Sequence, residues 1–459
     1  MTSSDPPSCI KLSAGEGSGA GPDGPPAPSA LREAAGGTRR RAPNFIVILC
    51  DDLGYGDLGL FGSRLIRTPC LDRMAAEGLT LTHFFAAANL CTPSRAGLLT
   101  GRYPIRTGLG HEVIIARDTH GLPTSEVTIA KTLKPQYATA MVGKWHLGHV
   151  PPYWPPTQHG FDLFYGLPYS HDMKPLSLWE QPRPDAALIE GPVDFALLTQ
   201  QFFDRGAAFI EANQDRPFFL YLALTAPHAP LVPHPDGRGV SRAAAYGDVV
   251  EEVDRRMGAL FDQLRALGID EDTLVIFTSD NGPWFEGSTG GLRDRKGGAG
   301  FEGGYRVPFL ARWPGVVPAG VRSDALASGI DILPTFAALA GVPAPDTVID
   351  GKDLSALLRT GAGSPHDELV LFNNERVAAV RTARWKLLVR SYYRSWDLPI
   401  AKFGYPLLFD MTEDPEESYN MAARYPEVMA DMKARVARAQ AVYERMGVRQ
   451  AEERLPNIG

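Results

Sequence analysis

Four short apolar runs recur along the chain, and each of them ends in polar residues. The first, Asn44 to Cys50, is almost continuously apolar, as is typical of a central parallel strand that is covered on both faces. The others run from Tyr137 to Val142, from Pro217 to Thr225 and from Asp272 to Thr278. Because ligand sites in open α/β sheets form beyond the carboxyl ends of the strands, we expect the polar residues after all four runs to share one edge.

Segments with the hydrophobic periodicity of a helix lie between these runs. A capped amphipathic helix is predicted from Ser125 to Lys134, and a longer one from Tyr246 to Leu267, with Gly268 as its left-handed cap. A further helix is expected around Ile330 to Leu339, and Phe309 to Trp313 is typical of another strand. The alternation of strands and helices predicts an α/β fold with helices on both faces of a mainly parallel sheet.

A long glycine-rich segment interrupts this pattern between Gly282 and Gly304. It contains three basic residues, Arg293, Arg295 and Lys296. Long irregular loops inside compact domains are uncommon and are often functional. We therefore predict a loop with a role in the site.

The pattern changes again from about His366. Short strands are predicted at Glu368 to Phe372, Ala378 to Arg381, Lys386 to Ser391 and Leu407 to Asp410. A charged, Ala-rich helix is predicted from Pro426 to Met446. We therefore expect a catalytic domain over residues 43–365 and a smaller C-terminal α+β domain with an antiparallel sheet over residues 366–459. Residues 1–42, rich in Gly, Pro, Ser and Ala, are predicted to form a disordered leader.

Composition argues against several classes of protein and of binding partner. The formal net charge of -7 argues against a nucleic-acid binder that works through a basic surface. Four cysteines are too few for a disulfide framework in 459 residues. No apolar run approaches the roughly 18 residues that a membrane-spanning helix needs. The apolar run after Arg39 to Arg41 is short, with no small-residue cleavage site, so we predict a cytoplasmic protein, with export as the less favoured alternative.

Two candidate metal ligands, Asp51 and Asp52, follow directly after the first predicted strand. Two adjacent carboxylates at the end of a buried strand are costly unless they are neutralised, and a hard divalent cation with oxygen ligands is a natural partner. An exposed acidic turn is the usual alternative for such a pair. The other strand ends bring a lysine, two imidazoles, a carboxylate and an amide to the same edge: Lys144, His146, His228, Asp280 and Asn281.

The run from Leu90 to Arg102, LCTPSRAGLLTGR, places a cysteine beside a helix start. Pro93 suits the first helical position, so Cys91 is expected at a helix N-terminus, where N–H groups favour anions. Arg95 can donate to the oxygens of a tetrahedral oxyanion. A lone cysteine is more often a small buried residue, and Arg95 is closer to Cys91 than a thiolate phosphatase would place it.

The whole of this run resembles the signature of the type I sulfatases, in their arylsulfatase A-like branch. The resemblance extends from about Pro43 to the final helix. It implies an alkaline-phosphatase-like fold with a large, mixed, mainly parallel sheet. It also implies hydrolysis of an organic sulfate monoester by the hydrated aldehyde of Cα-formylglycine, which a dedicated formylglycine-generating enzyme makes from Cys91.

The resemblance also assigns individual roles. The implied metal ligands are Asp51, Asp52, Asp280 and Asn281, with the modified Cys91 as a further oxygen ligand. The implied ion is Ca²⁺, with Mg²⁺ as the alternative, since an amide at residue 281 disfavours zinc. The implied catalytic residues are Cys91, Arg95, Lys144, His146, His228 and Lys296. The implied sulfate-binding residues are Lys144, His228, Lys296 and, on a shorter motif, Ser170.

In the implied mechanism His228, with Lys296, protonates the leaving group, and His146 then accepts a proton as sulfate is expelled. Two alternatives remain open at this point. One is a formylglycine-dependent phosphonate or phosphodiester hydrolase of the same superfamily, and the other is a binding protein in which Cys91 is never modified. Three tryptophans could line a substrate subsite or belong to the core: Trp154, Trp179 and Trp284.

Overall fold

The computed structural model describes residues 42–393 and 396–447. The leader predicted for residues 1–42 lies outside the described residues, apart from Ala42. No helix in the described part of the chain is long and apolar enough to cross a membrane.

Strands form two main sheets and two small ribbons. Their bounds are β1 (Asn44–Cys50), β2 (Leu79–Leu81), β3 (Phe84–Phe85), β4 (Ala138–Lys144), β5 (Leu163–Leu167), β6 (Leu178–Gln181), β7 (Ile189–Gly191), β8 (Phe218–Ala223), β9 (Thr273–Ser279), β10 (Phe309–Arg312), β11 (Val321–Ser323), β12 (Ala327–Ser328), β13 (Leu369–Asn373), β14 (Arg376–Arg381), β15 (Trp385–Leu388), β16 (Ser391–Tyr393), β17 (Trp396–Leu398) and β18 (Leu407–Asp410).

Helices pack around these sheets. Their bounds are α1 (Pro69–Ala76), α2 (Cys91–Thr100), α3 (Ile129–Leu133), α4 (Leu198–Ala212), α5 (Ala244–Ala266), α6 (Glu302–Tyr305), α7 (Ile332–Ala340), α8 (Ser355–Thr360) and α9 (Pro426–Tyr443).

The large sheet has the order β11-β2-β10-β9-β1-β8-β4-β5-β6-β7. Its five central strands, β9 to β5 in this order, are parallel, whereas β10, β6 and β7 pair antiparallel. Register aligns the strand ends, since Leu49 lies opposite Ala223 and Cys50 opposite Ser279. The loops after β1, β4, β8 and β9 therefore open at one edge, and the predicted α/β fold is confirmed.

Alternation along β1 explains why its sequence is almost wholly apolar. Phe45, Val47 and Leu49 pack into the core on the face that carries α2, α3 and α7. Ile46 and Ile48 pack into the core on the opposite face, with α1, α4 and α5. Successive side chains of a strand point to opposite faces, so a strand covered by helices on both sides needs apolar residues throughout.

The second sheet, β13-β14-β15-β18, is antiparallel and packs against α9, as the C-terminal pattern predicted. The boundary at residues 365 and 366 stays a prediction.

Three local expectations differ from the structure. The helix predicted from Ser125 begins only at Ile129, because the Thr128 hydroxyl caps it by accepting from Lys131 N. The strand predicted from Lys386 to Ser391 is divided into β15 and β16. The helix with Cys91 starts at Cys91 itself, so Pro93 is its third residue.

A buried ionic cluster joins the second sheet to α6. Lys386 Nζ lies 3.3 Å from Glu302 Oε1 and 2.6 Å from Glu417 Oε1, and Arg381 Nε lies 3.3 Å from Glu302 Oε1. The side chains of all four residues are 1% exposed or less. Each charge therefore depends on its partners, since water does not reach it.

We expect Lys386→Met to lower the free energy of unfolding by about 3–5 kcal/mol, because it leaves two buried carboxylates short of a cation. Urea unfolding followed by circular dichroism measures the change. The matched control is Arg183→Met, which breaks an exposed pair with Asp185 and should cost under about 1 kcal/mol. Equal losses in the two variants would show that the cluster does not stabilise the fold.

Candidate active site

Carboxylates from two neighbouring strands meet at the edge of the large sheet. Asp51 and Asp52 follow β1, Asp280 and Asn281 follow β9, and all four are buried. Asp52 adopts a left-handed backbone conformation with φ of 66°, which an aspartate tolerates better than most residues. Asn281 Nδ2 donates to Asp52 Oδ1 at 2.8 Å, and Asp52 N donates to Asp280 Oδ1 at 3.2 Å.

Helix α2 brings Arg95 beneath these carboxylates. Its Nε and Nη2 both donate to Asp280 Oδ2, at 3.0 and 2.8 Å, and its Nη1 donates to the carbonyl of Lys144 at 2.8 Å. Nη2 also lies 3.3 Å from Asp51 Oδ1. The fully buried guanidinium thus ties together the ends of β1, β4 and β9.

Cys91 lies at the first residue of α2, directly beside the acidic cluster. Its Sγ is 3.4 Å from Asp51 Oδ1 and 4.0 Å from Asp52 Oδ1. Burial raises the pKa of the Cys91 thiol well above its usual range, although Lys144 and Lys296 oppose this. The unmodified residue is therefore a protonated thiol and a poor nucleophile.

Two lysines reach the same carboxylates. Lys144 Nζ donates to Asp51 Oδ2 and Lys296 Nζ to Asp52 Oδ2, each at 2.7 Å. Burial would raise the pKa of Asp51, but the charges of Lys144, His228 and then Arg95 outweigh it and hold that pKa well below its usual range. Asp51 is therefore a carboxylate across the physiological pH range.

The donor set fits a hard divalent cation. Ligand atoms of Asp51, Asp52, Cys91 and Asp280 lie within 4.8 Å of one another. Asn281 Oδ1 is buried and makes no hydrogen bond within the described residues. Burial raises the pKa of Asp280 to about 6, even against the charge of Arg95, so a cation bound beside this carboxyl would favour its ionised form. Carboxylate and amide oxygens suit Ca²⁺ and Mg²⁺.

The two predicted imidazoles differ in their hydrogen bonding. His146 Nε2 donates to the Ile114 carbonyl at 2.8 Å, and its Nδ1 is buried without a partner in the described part of the chain. Burial, followed by the charges of Lys144 and Arg95, lowers the pKa of His146 well below its usual range, so its ring is neutral.

His228 instead follows β8 and is partly exposed. Its Nδ1 donates to the Ala229 carbonyl at 2.5 Å. Its other ring nitrogen, Nε2, lies 3.7 Å from Asp52 Oδ2.

A cavity of about 640 Å³ opens over this cluster. Cys91, His146, His228 and Lys296 line it, and Ser170 also lies on its wall. The size is that of a site for a small organic ligand.

Comparison with known proteins agrees with this geometry. The sulfatase family model matches residues 43–342, and that of the N-sulphoglucosamine sulphohydrolase C-terminal region matches residues 299–442. The chain belongs to the sulfatase family.

Relatives match most of this sulfatase. Human arylsulfatase A is 39% identical in an alignment 458 positions long, which covers 89% of this chain and 90% of the relative. Steryl-sulfatase of Rattus norvegicus is 34% identical, over 85% of this chain and 88% of the relative. The crystal structure of the PsFucS1 sulfatase from Pseudoalteromonas sp. has a TM-score of 0.80 at 30% identity, over 88% of this chain and 91% of that chain. The chain is therefore a sulfate ester hydrolase with an alkaline-phosphatase-like fold.

The structure of this sulfatase brings all of the predicted site residues to one place, as the cavity wall or as the layer directly beneath it. Of the three tryptophans, Trp284 lines the cavity, whereas Trp154 and Trp179 pack edge to face on the core. Sequence reasoning missed His171, which lines the cavity with its ring 5.6 Å from that of His228. Its position next to Ser170 was the available signal.

Proposed function

We propose that this sulfatase cleaves sulfate monoesters through a Cα-formylglycine made from Cys91. The observation that carries the proposal is the position of Cys91, at the start of α2, on the cavity wall and 3.4 Å from Asp51. A thiol that burial keeps protonated cannot attack sulfur at neutral pH, whereas a hydrated aldehyde at this position supplies a hydroxyl to attack and a second one to assist release.

Asp51, Asp52, Asp280 and Asn281 are proposed to hold one divalent cation, with Ca²⁺ preferred over Mg²⁺. When bound, this ion would supply Lewis acidity for the attacking hydroxyl and for a sulfate oxygen. Lys144 and Lys296, which contact Asp51 and Asp52, are proposed to donate to the sulfate oxygens. Such fixed cations stabilise charge that develops in the transition state.

His228 is proposed to protonate the departing alcohol oxygen from Nε2 as the bond between sulfur and that oxygen breaks. Its Nδ1 is occupied by the Ala229 carbonyl, which orients the ring. Ser170, which lies on the cavity wall, is proposed as a further sulfate contact.

His146 is proposed as the base for the second step. Its Nε2 carries a hydrogen because it donates to a carbonyl, so Nδ1 holds the free electron pair of a neutral ring. This nitrogen would accept the proton of the second hydroxyl while the carbon–oxygen bond to sulfate breaks and the aldehyde returns. Water then rehydrates the aldehyde.

The test is the mass of the tryptic peptide that contains Cys91, measured on the same preparations as the turnover of 4-nitrophenyl sulfate. Protein is produced with and without a co-expressed formylglycine-generating enzyme. We expect turnover to scale with the modified fraction and to be absent from Cys91→Ala. Full activity in a preparation whose Cys91 is wholly unmodified would refute the mechanism.

The same preparations separate the alternatives. A phosphodiester or phosphonate hydrolase would show a higher kcat/KM for 4-nitrophenyl phosphodiesters or phosphonates than for the sulfate. A non-catalytic binding protein in which Cys91 is never modified would show only the unmodified Cys91 peptide, even with the co-expressed enzyme, and would be inactive on all of these esters.

A further inference from the structure

The hydroxyl of Thr92 makes hydrogen bonds outside its own helix. Thr92 is the second residue of α2 and is fully buried. Its Oγ1 donates to the His146 carbonyl at 2.9 Å and accepts from Ile114 N at 3.1 Å. A threonine hydroxyl near the start of a helix more often bonds to the backbone of that helix or of the turn before it. The hydroxyl of Thr92 instead joins α2 to two segments that are distant in the sequence.

These two bonds and the one made by the His146 ring form a closed set of three. His146 Nε2 donates to the Ile114 carbonyl at 2.8 Å, so both main-chain polar groups of Ile114 are used within the set. Thr92, Ile114 and His146 are each at most 1% exposed, so water does not compete for these bonds. A shift of any one of the three residues therefore lengthens its bonds to the other two.

His146 has a backbone conformation that needs support from its neighbours. Its φ is 59°, in the left-handed region, which is uncommon for a residue with a side chain and persists only where the surrounding structure holds it. Its N–H donates to the Pro168 carbonyl at 3.1 Å, and its carbonyl accepts from Thr92. Thr92 thus holds one of the two backbone polar groups of His146.

The direction of the His146 ring depends on Ile114. This residue lies in a segment without regular secondary structure, residues 111–118, and its side chain packs into the core. The Ile114 carbonyl accepts from the ring, and the Ile114 N–H is bonded to Thr92. One hydroxyl therefore fixes both the backbone that carries the imidazole and the carbonyl that orients it.

We infer that Thr92 is a positioning residue, whose hydroxyl holds the imidazole of His146 in the orientation that sulfate release requires. The inference rests on the proposed function, because it assigns Thr92 to the step in which His146 accepts a proton. Thr92 follows Cys91 directly, so the modified residue and the base that acts on it are tied to the same turn of α2. Proton transfer depends on the distance between the two groups, so a small displacement of the ring slows this step.

The first test is Thr92→Val, which keeps the shape of the side chain and removes the hydroxyl. Activity on 4-nitrophenyl sulfate is expressed per modified protein, because residue 92 adjoins the residue that is modified. We expect the rate constant for sulfate release, measured by rapid quench and intact mass after a single turnover, to fall about 10–100-fold, while kcat/KM stays within about threefold. Since kcat/KM covers only the steps up to sulfate transfer, it would fall as well if the change had merely disordered the site.

Two variants are the controls. Thr92→Ser keeps the hydroxyl and should release sulfate within about threefold of the wild-type rate. Thr100→Val makes the same substitution at a buried position of the same helix, where the hydroxyl donates to the Ala96 carbonyl, and should release sulfate as the wild type does. Equal losses in Thr92→Ser and Thr92→Val, a parallel fall of kcat/KM in Thr92→Val, or unchanged release in that variant would overturn the inference.

The second test needs neither modification nor turnover. Hydrogen exchange of residues 111–118 is followed by mass spectrometry, and we expect the Ile114 amide to exchange at least about tenfold faster in Thr92→Val than in the wild type or in Thr92→Ser. Thr92→Ala also lacks the hydroxyl and replaces Thr92→Val if that variant does not fold. Failure of both to fold would show a structural role and would overturn the inference.

The two tests separate this inference from the proposed function. Unchanged exchange in Thr92→Val refutes the link between Thr92 and Ile114, whatever the activity. Faster exchange with normal sulfate release, in a protein whose wild type is an active sulfatase, refutes the positioning role alone. A wild-type protein that stays inactive on sulfate esters after complete modification of Cys91 refutes the proposed function, and the positioning role with it.

Discussion

Asp280→Ala is expected to remove the divalent cation and to lower kcat/KM for a sulfate ester by at least about 10³-fold. Oδ1 of Asp280 faces the acidic cluster, where it accepts from Asp52 N. Its Oδ2 accepts hydrogen bonds from both Nε and Nη2 of Arg95. Its loss removes one of three carboxylates and leaves a buried guanidinium beside the remaining two. Elemental analysis of the purified protein gives the ion content, and steady-state kinetics with added Ca²⁺ give the activity.

A variant of a second proposed metal ligand controls for the possibility that Asp280→Ala loses activity because it misfolds. Asp52→Asn keeps the shape of the side chain, and asparagine tolerates the φ of 66° at this position. We expect it to fold, as judged by circular dichroism, and still to bind the ion more weakly because a charged ligand has become neutral.

The control is Asp57→Asn, a nearby buried carboxyl that does not line the cavity. Asp57 accepts from Tyr246 Oη at 2.6 Å and from Ser288 N and Gly54 N at 2.8 Å, and burial raises its pKa to about 6 against these hydrogen bonds. We expect it to keep the ion. A stoichiometric ion and normal turnover in Asp280→Ala would contradict the ligand assignment.

The sheet and its polar edge could be predicted from the sequence because they depend on local rules. A strand with helices on both faces is apolar along its whole length, so β1, β4, β8 and β9 were visible as runs. In a parallel sheet the residues after such runs are adjacent in space, however far apart in the chain. That is why Asp52 and Asp280, which are 228 positions apart in the chain, were placed together.

Other features depend on contacts that no local pattern contains. The late start of α3 follows from the hydroxyl of Thr128, which competes with continued helix. The burial of Lys386 between Glu302 and Glu417 requires the second sheet to pack on α6, and nothing near residue 386 signals it. Trp284 lies on the cavity wall, whereas Trp179 packs on the core. No local pattern in the sequence distinguishes these two positions.

His171 illustrates the same limit within the site. Its Nε2 donates to the Pro230 carbonyl at 3.3 Å, in the turn that carries His228. His171 and Pro230 are 59 residues apart in the sequence, so only the fold brings the segments of the two histidines into contact. The position of His171 next to Ser170 indicates the site, but nothing in the sequence indicates its contact with the segment that carries His228.

The variants of the two histidines proposed to act in catalysis, His146 and His228, are expected to lose activity in different ways. If His228 protonates the leaving group, His228→Ala should lose about 10²–10⁴-fold on sulfates of weakly acidic alcohols and much less on those of acidic phenols, which depart with little help. A series of aryl sulfates with different phenol pKa values measures this as a steeper dependence on the leaving group than in the wild type.

His146→Ala is expected to release the alcohol once and then to stall, whatever the leaving group. The neutral ring of His146 carries a free electron pair on Nδ1, and we propose that this nitrogen accepts a proton when sulfate is expelled. The loss of His146 should therefore lower steady-state turnover by about 10²–10⁴-fold without steepening the leaving-group dependence. Rapid quench gives the stoichiometry of alcohol released, and intact mass after a single turnover shows whether sulfate stays on the protein. If both variants had equal leaving-group dependence and His146→Ala retained no sulfate, the two roles would be exchanged or shared, and both assignments would have to be withdrawn.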